Sequence, residues 1–162
     1  VSGPDTGLVM QAGAVAIGGR ALLIEGPPGS GKSSLALALI AAGAGLIGDD
    51  AVRLTAREGR LIASPPPNIA GLLEVHGAGL ARFPLAPPAP AALLLTLGGP
   101  PPPRLPETPL PQRMIAGVAV PVLAFDPGTI APAPRAQQAL ALHGLVFEPS
   151  SLCARTAPDE AR

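Results

Sequence analysis

Tryptophan and tyrosine are absent from this 162-residue chain, and three phenylalanines are its whole aromatic content. Any core must therefore be aliphatic, and a hydrophobic content of 48% is enough to build one within a single domain. Two histidines and one cysteine, Cys153, are too few for a zinc-type site or an internal disulfide, which fits a reducing cytoplasm. Neither sign of charge prevails: 11 basic residues are matched by 11 acidic ones. Nothing in that balance points to nucleic acid or to an anionic membrane surface. No apolar run reaches the roughly 18 residues of a membrane span, and no charged-then-apolar leader opens the sequence, so a soluble cytoplasmic domain is expected. Lysine is scarcest of all. Ten of the 11 basic residues are arginine, and the single lysine is Lys32.

That lysine sits in "IEGPPGSGKSSLALALI", where Gly26-Pro27-Pro28-Gly29-Ser30-Gly31-Lys32-Ser33 satisfies the pattern G-x-x-x-x-G-K-[ST] in full. An apolar stretch, "ALLIE", runs into the motif, and a helical pattern carrying Leu35, Leu39 and Ile40 runs out of it. In this arrangement glycines let backbone N–H groups converge on phosphate oxygens, and the helix N-terminus adds its positive end. Lys32 can place a compact charge between the outer phosphates, and the Ser33 hydroxyl can ligate Mg²⁺, with Ser34 completing the cradle. Arginine is planar and forked and does not fit the same closed loop. The expected ligand is ATP with Mg²⁺.

The rest of the chain reads as short strands and turns. "AVAIGGRALLIEG" is strand, Gly18-Gly19 turn, strand, and "VRLTAREGRLIAS" is a second hairpin around Gly59. The helix from Lys32 stops at Gly43 and Gly45, and "LIGDDAVRL" follows as a strand reaching Asp49 and Asp50. Further strands are "LLEVHGAGL", "AALLLTLG" and "GVAVPVLAF"; a closing helix starts at Pro134 and ends at Gly144. Residues from about 146 to 162 read as a loose tail. The proline-rich stretch over residues 98–111 is a stiffened surface connection, a loop facing a substrate or, as a weaker third reading, a proline segment recognised by a partner domain.

Asp49 and Asp50 follow Lys32 by only 17 and 18 residues, on the strand directly after the P-loop helix. If that strand lies beside the P-loop strand, one carboxylate can accept a proton from an attacking hydroxyl while the other helps hold a metal shell. A plain Asp-Asp turn is the competing reading. Glu74, between apolar neighbours, is either a Mg²⁺ or water ligand or an exposed residue of a half-buried strand. His76 reads as structural or solvent-facing, and His143 as a helix-terminating residue.

With these residues in view, "LLIEGPPGSGKSSLALALIAAGAGLIGDDAVRL" followed by "LLEVHGAGL" resembles the catalytic, C-terminal domain of HPr kinase/phosphorylase, in its short proteobacterial form. The resemblance covers about residues 10–145 and is strongest over 14–54 and 72–80. It implies an α/β P-loop kinase fold with a mixed sheet and antiparallel hairpins, similar to the nucleotide domain of phosphoenolpyruvate carboxykinase. It also implies ATP-dependent phosphorylation of a serine of HPr, a phosphocarrier of the sugar phosphotransferase system, and phosphorolysis of the product. Carried over by position, Lys32 and Ser33 hold phosphate and Mg²⁺, Asp49 is the base with Asp50 in support, and Glu74 joins Ser33 and Asp50 around the metal. Arg104 corresponds to a phosphate-binding arginine, and a homo-oligomer is possible. Gln11 and His76 stand where the family has histidine and arginine, and "FDPGT" stands near the place of a Pro-Gly-Arg-Asn stretch. A small-metabolite P-loop kinase and a nucleotide-binding regulatory module without transfer activity remain as alternatives.

Overall fold

In the computed structural model, residues 7–67 and 71–148 are described. Cys153 and most of the expected tail lie outside them. Strands β1 (Leu8–Met10), β2 (Gly13–Ile17) and β3 (Arg20–Glu25) lead into helix α1 (Lys32–Ala41). Then come β4 (Gly45–Gly48), β5 (Val52–Arg57), β6 (Arg60–Ser64), β7 (Leu72–Val75), β8 (Gly79–Arg82) and β9 (Ala89–Thr96). The hairpin of β10 (Gln112–Ile115) and β11 (Val118–Ala124) precedes α2 (Pro132–His143). The expected hairpins form where glycine permits them: Gly18 and Gly19 take φ of 59° and 81°, and Gly59 takes 75°.

Among the described residues one sheet of nine strands carries the fold: seven follow the order β1-β5-β6-β9-β3-β2-β4, β11 and β10 branch from β9, and β7 and β8 pair separately. Its centre is β9, which runs parallel to β3 along one side. Its other side is divided. The start of β9 pairs antiparallel with β6 through Ala89 and Pro90, and its end pairs parallel with β11 through Leu94 to Thr96. This makes the sheet mixed and lets it curl, with β5 and β6 diverging from the β10–β11 hairpin.

Both faces of the central strands are buried, which is why "ALLI" and "ALLL" are continuous apolar runs instead of alternating ones. Leu22, Ile24, Leu93 and Leu95 pack with Leu35 and Leu39 of α1 and Ala136 and Leu140 of α2. Ala21, Leu23 and Leu94 face the other way, onto Ile47, Val52, Leu54, Leu61 and Val120. All of these side chains are essentially without solvent contact. The aliphatic composition is thus sufficient for two packed layers.

Four details differ from the sequence expectation. The strand after α1 does not lie beside the P-loop strand: β4 pairs with β2, which separates it from β3. It also ends at Gly48, so both acids occupy the turn between β4 and β5. α2 begins at Pro132, after Ala131 in the left-handed region, two residues ahead of Pro134. Finally, the start of the expected loose tail is held. Leu145 N–H donates to Ala92 O at 2.9 Å, and Arg60 stacks on the Phe147 ring at 5.1 Å while donating to Glu148 O at 2.8 Å. No helix among the described residues is long and apolar enough to cross a membrane.

Candidate active site

β3 delivers the chain to Gly26, and α1 takes it up again at Lys32. Between them Gly29 and Gly31 have φ of 81° and 96°, the left-handed conformation that turns successive N–H groups inward. A Cβ on Gly26 would stand 2.6 Å from Ser30 Oγ and 2.9 Å from Leu97 O, so only glycine lets the loop close over the end of β9. Ser30 N–H donates to Pro27 O at 3.1 Å, which tightens the same loop. The first turn of α1 contains no acidic residue, leaving its positive end uncompensated from within the helix. Lys32 Nζ donates to the carbonyls of Gly26 at 2.5 Å and Pro27 at 3.3 Å, so its ammonium is held inside the curve of the loop.

The acid turn meets this cradle directly. Ser33 Oγ is 2.8 Å from Asp49 Oδ1, and the backbone N–H of Glu74 donates to Asp49 Oδ2 at 3.1 Å. One carboxylate therefore joins three separate elements: the start of α1, the β4–β5 turn and β7. Asp50, exposed and at φ 61°, lines the cleft. The sharpness of the turn rests on Gly48, where a Cβ would collide with Ala51 O. Gly48→Ala is accordingly expected to displace Asp49 from Ser33 and to destabilise the fold by about 1–3 kcal/mol, as overpacking does. A thermal melt superimposable on that of the parent protein would contradict this.

Together these elements enclose a cleft of about 750 Å³. Its floor is Gly26, Pro28, Gly29, Gly31, Lys32, Ser33 and Ser34; its far side is Gln11, Asp50, Glu74 and His76. Glu74 is exposed, as one of its two sequence readings expects, and it also forms part of the cleft wall. His76, read as structural or solvent-facing, lies on that wall as well, because the β7–β8 hairpin folds over the P-loop. Pro27 lies to the other side, against Gly98. Arg104 is not brought to the cleft. It is exposed in the proline-rich connection between β9 and β10 and belongs to neither cavity beside the P-loop.

Arg113 was not singled out by sequence. It donates from Nη1 to Glu25 Oε2 at 2.7 Å, tying β10 to the residue that precedes the P-loop. That hydrogen bond raises the guanidinium above its ordinary value, against a smaller opposing effect of burial. Only the neighbouring register of β10 and β11 reveals the pair, and no local motif marks it.

The donor set suits Mg²⁺ bound in company with phosphates. Among the described residues no three His, Cys, Asp or Glu side chains converge tightly enough to hold a metal alone. A P-loop serine oriented by a carboxylate, with other positions left to phosphate and water, is the environment this cation prefers.

Residues 7–83 match the family model described as HPr Serine kinase C-terminal domain. The HPr kinase/phosphorylase of Clostridium tetani is 47% identical over 66 residues, which is 41% of this chain and 22% of that protein. The Bordetella petrii HPr kinase/phosphorylase is 46% identical over 63 residues, 38% of this chain and 20% of that one. The matched stretches thus span about a fifth of the length of these relatives. The solved structure of the Hpr(Ser) kinase/phosphatase from Coxiella burnetii superposes with a TM-score of 0.70 at 27% identity, covering 83% of this chain and 90% of that one. In sequence through residue 83, and in fold over most of its length, the chain is therefore similar to the HPr kinase C-terminal domain, an α/β P-loop kinase fold built on a mixed sheet.

Proposed function

We propose that the chain is an ATP-dependent protein kinase that transfers a phosphoryl group to a serine of HPr in the cytoplasm. The observation that carries this reading is the Asp49 carboxylate, held between the P-loop Ser33 and the backbone of Glu74 at the edge of an open cleft. When bound, Mg²⁺–ATP supplies the transferable phosphoryl group and neutralises part of its charge.

The chain's own residues account for the rest. The backbone N–H groups of Gly29 and of Gly31 to Ser33, with the Lys32 ammonium, bind phosphate oxygens, while the Ser30 N–H stays on Pro27 O. Asp49 keeps the Ser33 hydroxyl turned so that its lone pairs face the metal position. Each carboxylate oxygen can accept more than one hydrogen bond, so Asp49 retains capacity to take the proton of an incoming serine hydroxyl. Asp50 and Glu74, on the cleft wall, support the water and metal shell. The open mouth of the cleft suits a protein acceptor, since a small metabolite would call for closer enclosure.

The direct test is incubation with γ-labelled ATP, Mg²⁺ and purified HPr, beside a panel of small hydroxylated metabolites. Label is expected on an HPr serine, as a phosphoester stable to mild acid. Label only on a metabolite, only on an acid-labile histidine, or nowhere would refute the assignment.

A further inference from the structure

The family match ends at residue 83, yet two arginines beyond it are tied to the two ends of the P-loop. We infer that Arg113 and Arg135 are positioning residues that brace the loop, at Glu25 and at Gly31, so that its phosphate-binding groups keep one arrangement. The inference rests on the kinase reading above and names what fixes the shape of its donor site.

The stronger brace stands at the Gly31 end. Arg135, in the first turn of α2, donates from Nε to Ile130 O at 2.9 Å, from Nη1 to Asp126 O at 3.0 Å and from Nη2 to Pro127 O at 2.5 Å. Its guanidinium lies 5.0 Å from the centre of the Phe125 ring. A planar fork that meets three carbonyls and a ring at once leaves the segment from 125 to 130 a single course. The start of that course is pinned as well, because Phe125 N–H donates to Thr96 O at 2.9 Å. Pro127 is thereby set over the P-loop: a Cβ on Gly31 would stand 3.5 Å from Pro127 Cγ. Gly31 needs such support. It is the N-cap of α1 at φ 96°, no side chain caps that helix, and glycine has the widest backbone freedom of any residue.

The lighter brace stands at the other end. Glu25 directly precedes Gly26, and its Oε2 accepts from Arg113 Nη1 at 2.7 Å. β10 and β3 are not neighbours, since β11 and β9 lie between them. Arg113 stands opposite Val120 in the register, and Glu25 lies two residues beyond Leu23 on the same face of β3. Val120 and Leu23 pack in one layer, so the ion pair closes the rim of that layer across the curl of the sheet. Gly26 follows Glu25, and its carbonyl accepts from Lys32 Nζ. Arg113 is thus linked to the phosphate-binding ammonium through two consecutive residues.

Neither arginine lines the cleft, so neither is placed to touch a phosphate held there. Arg135 is exposed and Arg113 half-buried, so their contacts add little to the stability of the whole fold. Their effect is local. A loop free to take several shapes must be ordered by its ligand, and that ordering is lost from the affinity.

Arg135→Ala, Pro127→Ala and Arg113→Ala in the full chain would each be titrated with Mg²⁺–ATP and with inorganic tripolyphosphate, which lacks base and ribose. Arg135→Ala is expected to weaken both ligands by about tenfold, and by the same factor, because the hold on phosphate is what loosens. Pro127→Ala keeps the carbonyl that Arg135 binds and removes the ring over Gly31, so the same direction of change is expected. That variant also decides the matter should Arg135→Ala fail to fold. Arg113→Ala is expected to weaken both ligands by no more than about fivefold, the most an exposed ion pair usually supplies. The reversed pair, Arg113→Glu with Glu25→Arg, should restore them. In the HPr assay the KM for ATP should rise while kcat stays near that of the parent, a split that lost stability alone does not produce. Parental affinity for tripolyphosphate in both Arg135→Ala and Pro127→Ala would overturn the inference, as would a loss confined to ATP. Failure of the unsubstituted protein to bind either ligand would instead defeat the kinase reading, and this inference with it.

Discussion

Asp49→Asn is expected to leave ATP binding close to that of the parent protein while cutting transfer to HPr by ~10²–10⁴-fold, mainly in kcat, the usual worth of a general base. The contacts explain why binding survives. Asparagine can accept from the Glu74 N–H through its oxygen and donate from its amide nitrogen to Ser33 Oγ, so both contacts of Asp49 are replaced. The polarity at Ser33 is reversed, however. A lone pair formerly available to a metal is taken up, and the Mg²⁺ requirement should rise as well. Asp50→Asn removes a cleft-facing carboxylate with no such tether, and is expected to give a milder defect partly rescued by higher Mg²⁺. A rate for Asp49→Asn near that of the parent would move the base elsewhere. If the pair were only a structural turn, both substitutions would lower the melting temperature together, with no selective loss of transfer.

What could be read in the sequence was local in origin. The P-loop, the Gly18-Gly19 and Gly59 hairpins and the body of α1 depend on neighbouring residues, so pattern alone placed them. Strand order is not local. "LIGDD" carries no signal that β4 would pair with β2 in place of β3, and Asp49 still reaches Ser33 from the turn after Gly48. Short edge strands were equally hard to see. β1 and β10 have three and four residues, too few to establish a period, and β10 follows a proline-rich stretch that obscures it. Residues 145–148 look featureless in sequence because their partners, Arg20, Arg60 and Ala92, are far away along the chain. Gln11 and His76 were visible only as departures from a family pattern. Their place on the cleft wall depends on the β1–β2 connection and the β7–β8 hairpin reaching the same loop.

Lys32→Ala is expected to abolish useful affinity for both ATP and tripolyphosphate without unfolding the protein. Hydrogen bonds to charged groups are worth ~1.5–3 kcal/mol each, so an ammonium serving two phosphate oxygens accounts for roughly 10²–10⁴-fold in affinity. The fold itself asks little of this side chain. Its hydrogen bonds go to the Gly26 and Pro27 carbonyls, at the mouth of a loop open to water that can replace them, and it belongs to neither packed layer. Lys32→Arg should fail almost as badly. The Gly26 and Pro27 carbonyls approach within 2.5 and 3.3 Å of Nζ, and a planar fork cannot occupy the space of a compact ammonium so enclosed. On the proposed role, shape as well as charge favours lysine here in a chain that otherwise uses ten arginines. Calorimetry at matched Mg²⁺ checks both substitutions. Parental ATP affinity in Lys32→Ala would show that the loop does not hold phosphate through its lysine, and parental affinity in Lys32→Arg would show that charge alone suffices there.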